Sequence, residues 1–547
     1  MFGLKGAYFY LVAVQINLVK FFKRIYFTSN HYNKSLRPKT PTQVYFNPNP
    51  FLLSIISPFT KRSFKINEIN ANDFWLENKK KVIPELHNFL WLSLIDRKMD
   101  GKNIQKIIYL WMIKYSNFKR EIWETSTLTS RVISWMLNID TIINNGTFEF
   151  KKTFFENILL QCNHLKRNIS FEKNPLKKLE IITTLILSGI IFKEYEENFN
   201  IGVKELEKFV NSYFDDDGFP LSRNSNDLIF FTKYLLLCHE NIKEAQRYMP
   251  EFLDLTIKKN LACIKFLKTP VDNVPLFNGA SENNLEQLQR YIEKFNLSKK
   301  EKRDIIGGIF HAKYKNQVIY FDVGTPPNKN FSNNYQSGPL SFEYYMDGVK
   351  IITNCGFGNN ISAKAELISR LTASQSTLTI NDTSINKFER NKLINKAFGN
   401  SIKNTFKTHN IKTTHNEQLI GCSVAHDGYE RDFGCLHKRE IYLDRKNNKL
   451  KGIDHLLKKS DGIPIRYVLR FHLNPGLTAV KTISGNSALI QLSKNKSLIF
   501  TIKDEGLEIE KSIYLAGRKI LDNTCIAISG NLVNKDKSFN WEIKKKI

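Results

Sequence analysis

The apolar residues of this chain change their period once, and that change limits the fold more than any composition figure. From about residue 85 they recur at helical spacing. Ile104, Ile107, Ile108, Trp111 and Tyr115 form one stripe, and Leu128, Val132, Trp135, Met136, Ile139 and Ile143 the next. Phe155, Ile158, Leu159, Cys162 and Leu165 form a third. The run 181–192 is apolar on every side, which predicts a helix buried from both flanks. Further helices are expected over 201–214, 226–241, 250–268 and 284–296. Successive helices with short polar joints predict hairpins stacked side by side in an open or closed ring. No tetratricopeptide or ankyrin period is present.

Near residue 305 the period falls to two. Segments 310–315 and 318–323 read as a hairpin, and 340–346 and 349–354 flank Asp347-Gly348, a strong turn signal. Segments 439–445 and 450–453 flank Asn447-Asn448, and 488–493 and 497–503 flank Lys494-Asn495. Many short strands at such spacing predict an antiparallel β-sandwich. At 547 residues the chain is too long for one ordinary core. The expected organisation is an N-terminal segment and linker over 1–60, a helical domain over 61–300 and a sandwich over 301–547.

The first sixty residues read separately. An apolar run over 7–19 is interrupted by Gln15 and Asn17, and Lys20-Phe21-Phe22-Lys23-Arg24-Ile25-Tyr26 stands where a signal peptide would have its cleavage site. The run is too short to span a bilayer, so an amphipathic helix lying on the protein or on a membrane surface is expected. Residues 30–60, with Pro38, Pro41, Pro48, Pro50 and Pro58, read as an extended linker. The formal charge of +28 implies affinity for a polyanion or, equally, a lysine-rich coding bias with solvated side chains. No arginine-rich block, zinc-finger spacing or aromatic RNA-binding signature accompanies it, so no nucleic acid partner is expected. Seven cysteines without a CxxC pair read as buried free thiols.

Three stretches hold chemistry-bearing side chains. The loop Asp215-Asp216-Asp217-Gly218-Phe219-Pro220-Leu221-Ser222-Arg223-Asn224 is polar and lies between two buried helices. It reads either as a helix cap with Ser222 or Asn224 opening the next helix, or as a loop presenting Arg223 and Asn224 to an anionic group. A second such loop is 276–282, which contains Asn278. In the β half, His426, Tyr429, His437 and Arg439 fall within 14 residues of a chain holding 11 His. They could share one face of alternating strands, or belong to a solvated hairpin edge. Arg470-Phe471-His472 adds a basic pair on a strand.

Taken in order, Asp217-Gly218 with Ser222-Arg223-Asn224, Phe277-Asn278-Gly279, Asp322-x-Gly324-x-Pro326-Pro327, Leu340-Ser341-Phe342-Glu343, Asn354-Cys355-Gly356, Ser376-Thr377-Leu378, His426-Asp427-Gly428-Tyr429 and Arg470-Phe471-His472 resemble the heparinase II/III-like proteins of bacteria over about residues 85–540. The resemblance implies an α/α toroid joined to an antiparallel β-sandwich, and β-elimination on a uronate-containing polysaccharide in the cell envelope or periplasm. The cytoplasm stays open as a location, since no clear signal peptide is read. It further implies substrate-binding roles for Arg223, Asn224, Asn278, Gln336 and Gln375. Proton transfer would fall to His426 and Tyr429, with Tyr335 as runner-up. Members of the family commonly carry His where this chain has Pro220, Gln336 and Gln375. Gln hydrogen-bonds a carboxylate but is no base near neutral pH and a poor metal ligand. No cofactor is therefore expected, and a structural divalent metal stays open with its usual His positions replaced. Beside the lyase stands a second expectation, a catalytically silent glycan-binding or envelope-biogenesis protein on the same scaffold.

Overall fold

The computed structural model describes residues 4–41, 43–58, 74–75, 84–96, 101–144, 146–283, 285–295, 303–459, 464–493, 495–533 and 536–546. The expected boundaries at 60/61 and 300/301, and Lys494 of one expected turn, lie outside them. The chain forms two compact units. One comprises Val14–Tyr213 and Ile229–Lys258, and the other Met1–Ala13, Phe214–Leu228 and Lys259–Ile547. The second unit thus takes in the 214–228 loop and the chain from Lys259, both within the expected helical domain.

The first unit is helical. Helix Pro175–Ile191 opens on Asn174, whose side chain accepts from Leu176 N–H and Lys177 N–H, with Pro175 in the first turn where no donor is needed. Every residue from Leu179 to Ile191 is buried, as its all-round apolar pattern requires. Its neighbour Glu196–Tyr213 comes very close: a Cβ on Gly189 would stand 2.3 Å from the Phe199 nitrogen, so only glycine fits there. Helix Thr125–Leu137 is likewise buried and sets Trp135 edge-on to Trp111 at 5.1 Å between ring centres. Buried Arg131 crosses this core and donates to the Gln161 side chain and to the carbonyls of His87 and Ile122, while burial lowers its pKa to about 9. The expected linker is a correction. Residues 30–60 contain helix Asn30–Ser35 and a 3₁₀ turn, Pro50–Ile55, because Tyr32, Leu52, Leu53 and Ile55 find apolar burial despite the surrounding prolines.

The second unit carries two antiparallel sheets. Among the described residues, hydrogen bonding orders the first as Ile305–Ile306, Ile309–Tyr314, Gln317–Asp322, Phe342–Met346, Val349–Thr353, Ile465–Leu473, Leu521–Leu532 and Glu508–Tyr514, with Leu378–Ile380 also pairing to Ile465–Leu473. The second runs Thr478–Lys481, Ser487–Ser493, Lys496–Ile502, Lys537–Lys545, Lys449–Lys458, Cys435–Asp444, Leu419–Tyr429 and Thr408–His415. Asp347 and Gly348 both take positive φ, as the two-residue hairpin turn demands. The sheets share one apolar core in which Trp541 stacks on Phe342 at 5.5 Å and meets Phe471 at 4.9 Å. This is the expected sandwich. All seven cysteines are free and buried.

Candidate active site

Within the sandwich unit, the loops 214–228, 276–282 and 332–338 meet at Gly279. The first is 214–228. Asp215 folds it by accepting from the N–H groups of Asp217 and Phe219 at 3.0 and 2.8 Å. Arg223 then takes a left-handed backbone, φ 58°. Its guanidinium donates to the carbonyls of Gly307, Gly308, Gly324 and Thr325 at 3.0–3.1 Å and pairs with Asp322. Gly308 and Gly324 make the space, since a Cβ on either would fall within 2.6 Å of that guanidinium. Arg223 is buried and its donors are spent on the protein, so here it anchors the loop instead of receiving a carboxylate. That corrects the expectation of a solvent-facing anion binder.

The 276–282 loop is anchored in the same way. Glu343 accepts from the Leu276 N–H at 3.1 Å while also holding Lys350, Tyr345 and Thr353, and Ser281 donates to the Phe357 carbonyl. At its tip Asn278 and Gly279 have φ of 56° and 95°. A Cβ on Gly279 would stand 2.9 Å from Asn224 Nδ2 and 2.8 Å from Asn334 Cβ. The Gly279 N–H donates to Gln336 Oε1 at 2.9 Å. Gln336 Nε2 in turn donates to the carbonyls of Gly356 and Ser369 at 3.0 and 2.7 Å, and Gln375 Nε2 to the same Ser369 carbonyl at 2.9 Å. Asn224, Asn278, Tyr335, Gln336 and Gln375 therefore gather in one place. Both Gln side chains are tied to backbone, which makes them struts of the loops.

Three side-chain groups in this cluster are buried without a hydrogen-bond partner: the Tyr335 hydroxyl and the amide nitrogens of Asn278 and Asn354. Leaving such groups unmade costs about 1–3 kcal/mol each, and other unpartnered buried groups, Trp135 Nε1 and Asn260 Oδ1 among them, occur elsewhere in the chain. Asn354 Oδ1 accepts from the Ser376 N–H at 2.9 Å, which aims its amide nitrogen. Burial, with the Asp322 carboxylate nearby, pushes the Tyr335 phenol well above its ordinary value, against an opposing pull from Arg223. Tyr335 is thus a protonated, uncommitted donor at neutral pH. Asn354 received no role from sequence reasoning, although the Asn354-Cys355-Gly356 motif contained it.

His426 and Tyr429 lie elsewhere, inside the sandwich. Both are buried, and the Tyr429 hydroxyl donates to the Leu378 carbonyl at 3.0 Å. The His426 ring accepts from the Gly428 N–H through Nδ1 at 3.1 Å, which leaves its Nε2–H to donate to His437 Nδ1 at 3.3 Å. His437 Nε2–H donates to Asp454 at 2.7 Å, and Asp454 also receives Arg439 and the Trp541 ring N–H. Arg439 reaches the carbonyls of Leu340 and Ser376 at 2.6 and 2.7 Å. Burial and the neighbouring imidazole hold His426 neutral, far below its ordinary pKa. Every polar atom of the His426 ring and the Tyr429 hydroxyl is already used within the protein. The sequence density that suggested catalysis belongs to a structural network. His472 is similar: its ring bonds Ser512 and the Ala373 carbonyl, and burial lowers its pKa to about 4.

Among the described residues, no group of three or more His, Cys, Asp or Glu is placed to hold a metal ion. The side chains at the usual metal positions, Gln336 and Gln375, turn their amides to backbone carbonyls and do not fit one.

Comparison with known proteins agrees with this fold. Residues 306–542 match the family model described as Heparinase II/III-like, C-terminal. No curated protein sequence matches the chain. Among solved structures the fold is similar to heparinase III, with a TM-score of 0.66, 14% identity, and coverage of 94% of this chain and 88% of that one. A second heparinase III gene product gives 0.65, 12% identity, and coverage of 90% and 88%. A mutant of the heparan sulfate lyase HepC from Pedobacter heparinus gives 0.64, 14% identity, and coverage of 91% and 82%.

Proposed function

Since residues 306–542 match the family model Heparinase II/III-like, C-terminal, we propose that the protein binds an acidic, uronate-containing polysaccharide and cleaves it by β-elimination. The single observation that carries this reading is the cluster of unpartnered buried donors, Asn278 Nδ2, Asn354 Nδ2 and the Tyr335 hydroxyl, on loops anchored from below. A uronate brings acceptors that such donors lack: two carboxylate oxygens and the glycosidic oxygen.

The proton on C5 is too weakly acidic to be removed while the carboxylate beside it keeps its full charge. Amide donors from Asn278 and Asn354, with Asn224 alongside, would stabilise the enolate-like charge as it develops. The C5–H bond then breaks with its proton passing to the Tyr335 oxygen, its electron pair forms the C4=C5 double bond, and the C4–O bond breaks. In the same event the departing oxygen takes the Tyr335 hydroxyl proton, so the phenol ends as it began and no free phenolate, which its raised pKa disfavours, is needed. No water is consumed, and one product end carries an unsaturated uronate.

Incubation with a panel of uronic-acid polymers, recording the ultraviolet absorbance of that unsaturated end, tests the reading. Tyr335→Phe should lower the rate by about 10²- to 10⁴-fold while leaving binding within a few fold. Equal rates in wild type and variant would remove Tyr335 from the reaction.

A second reading, a glycan-binding protein without turnover, is favoured by the locked amides of Gln336 and Gln375, which leave no imidazole at those positions. Salt-dependent binding of one polymer with no absorbance change on any would decide for it.

A further inference from the structure

We propose that the N-terminal helix, Leu4–Thr28, docks the protein on the surface of an anionic lipid bilayer. The helix is 25 residues long, and one face of it is apolar and uncovered. Tyr8, Leu11, Leu18, Phe22 and Ile25 are 65, 66, 51, 63 and 55% exposed. At 3.6 residues per turn these five positions fall within an arc of about 100° along the helix, interrupted between Leu11 and Leu18 by exposed Gln15. Large apolar side chains scattered singly over a surface need no explanation, whereas five gathered on one side of a helix do. The opposite side is seated on the protein, where Ala13 is fully buried.

Charge identifies the occupant. The first 67 residues contain ten Lys or Arg and no Asp or Glu, the first carboxylate being Glu68, although the whole chain has 53 acidic residues. An anionic bilayer meets no repelling group along this segment, and each base near its surface adds to the attraction. A second copy of the chain would bring an equally cationic segment against the first, so self-association through the stripe is opposed. An acidic polysaccharide would use the bases but leave the apolar stripe in water. Among the described residues no helix is long and apolar enough to cross a membrane, so the helix rests in the interfacial plane with its stripe toward the acyl chains.

Flotation of the full-length protein with phosphatidylcholine vesicles, with and without phosphatidylglycerol, tests the proposal. The protein should float with the anionic vesicles, less as salt rises, and weakly with the neutral ones. Leu11→Glu/Leu18→Glu/Phe22→Glu should cut the bound fraction at least about tenfold at an unchanged melting temperature. Should that variant melt early, Lys34→Gln/Arg37→Gln/Lys39→Gln keeps the stripe and should weaken binding a few fold on anionic vesicles alone. Failure of the wild type to float with either vesicle, or undiminished flotation of both variants, overturns it. So does a dimer in sedimentation that dissociates in the stripe variant while no flotation occurs.

Discussion

The Gly279 loop cluster and the His426–His437–Asp454–Arg439 network are both buried and both crowded with polar side chains, yet they answer opposite descriptions. Along the network each donor meets an acceptor, from the Gly428 N–H through two imidazoles to a carboxylate that also receives Arg439 and Trp541. At the cluster three donors meet none. Polar groups that are buried and paired hold a fold in one arrangement. Polar groups that are buried and unpaired cost stability, and a fold keeps them together where a ligand completes them. Density of histidine and tyrosine therefore points to structure here, and the proposed site rests on unmet hydrogen-bonding capacity instead.

Substitutions break or sharpen that contrast. The largest expected effect is at Asp454. Asp454→Ala leaves the Arg439 guanidinium buried without its carboxylate and should cost about 3–5 kcal/mol in denaturant unfolding. A loss below about 1 kcal/mol would show that the network does not hold the core together.

Acid comes next. His87, His164 and His472 have pKa values lowered by burial to about 4, and His426 and His437 are lowered too. Each is neutral in the folded protein and regains its ordinary value of 6.5 on unfolding. Their contribution is complete above that value and is lost as pH falls from 6.5 toward 4, at about 1.4 kcal/mol per pH unit for each imidazole. Urea midpoints between neutral pH and pH 5 should fall accordingly. His426→Gln/His437→Gln should flatten the slope, and Tyr335→Phe should leave it unchanged.

Smaller still is Tyr429→Phe, which removes the bond to the Leu378 carbonyl and should cost about 1 kcal/mol. It should leave formation of unsaturated product as in wild type. A rate that collapses while the fold survives would return Tyr429 to the reaction and dissolve the contrast.

The smallest loss is predicted where the functional claim is strongest. Tyr335→Phe removes a buried hydroxyl with no protein partner, so stability should not fall and should rise by up to about 1–3 kcal/mol. A loss well above 1 kcal/mol would mean that the hydroxyl is satisfied in the fold and is not held for a ligand.

Much of this molecule is legible in its sequence. Apolar period alone separates helices from strands, because a helix and a strand bury side chains at different spacings. The all-round apolar run forms the buried helix Pro175–Ile191, and Asp347-Gly348 forms a hairpin turn because both positions need positive φ. The prolines of 30–60 mislead, since Pro50 opens a 3₁₀ turn whose leucines are buried all the same. Asn224, Asn278, Tyr335, Gln336 and Gln375 stand on or beside motifs whose order is visible along the chain, and the fold gathers them. Their separate roles are not legible there. Whether Arg223 faces a ligand or four carbonyls depends on Gly308 and Gly324, distant in the chain, which clear the space for its guanidinium. Spacing along a chain determines which face a residue joins. Only the packed structure decides whether its donors are already answered, because their acceptors come from loops that sequence distance does not order.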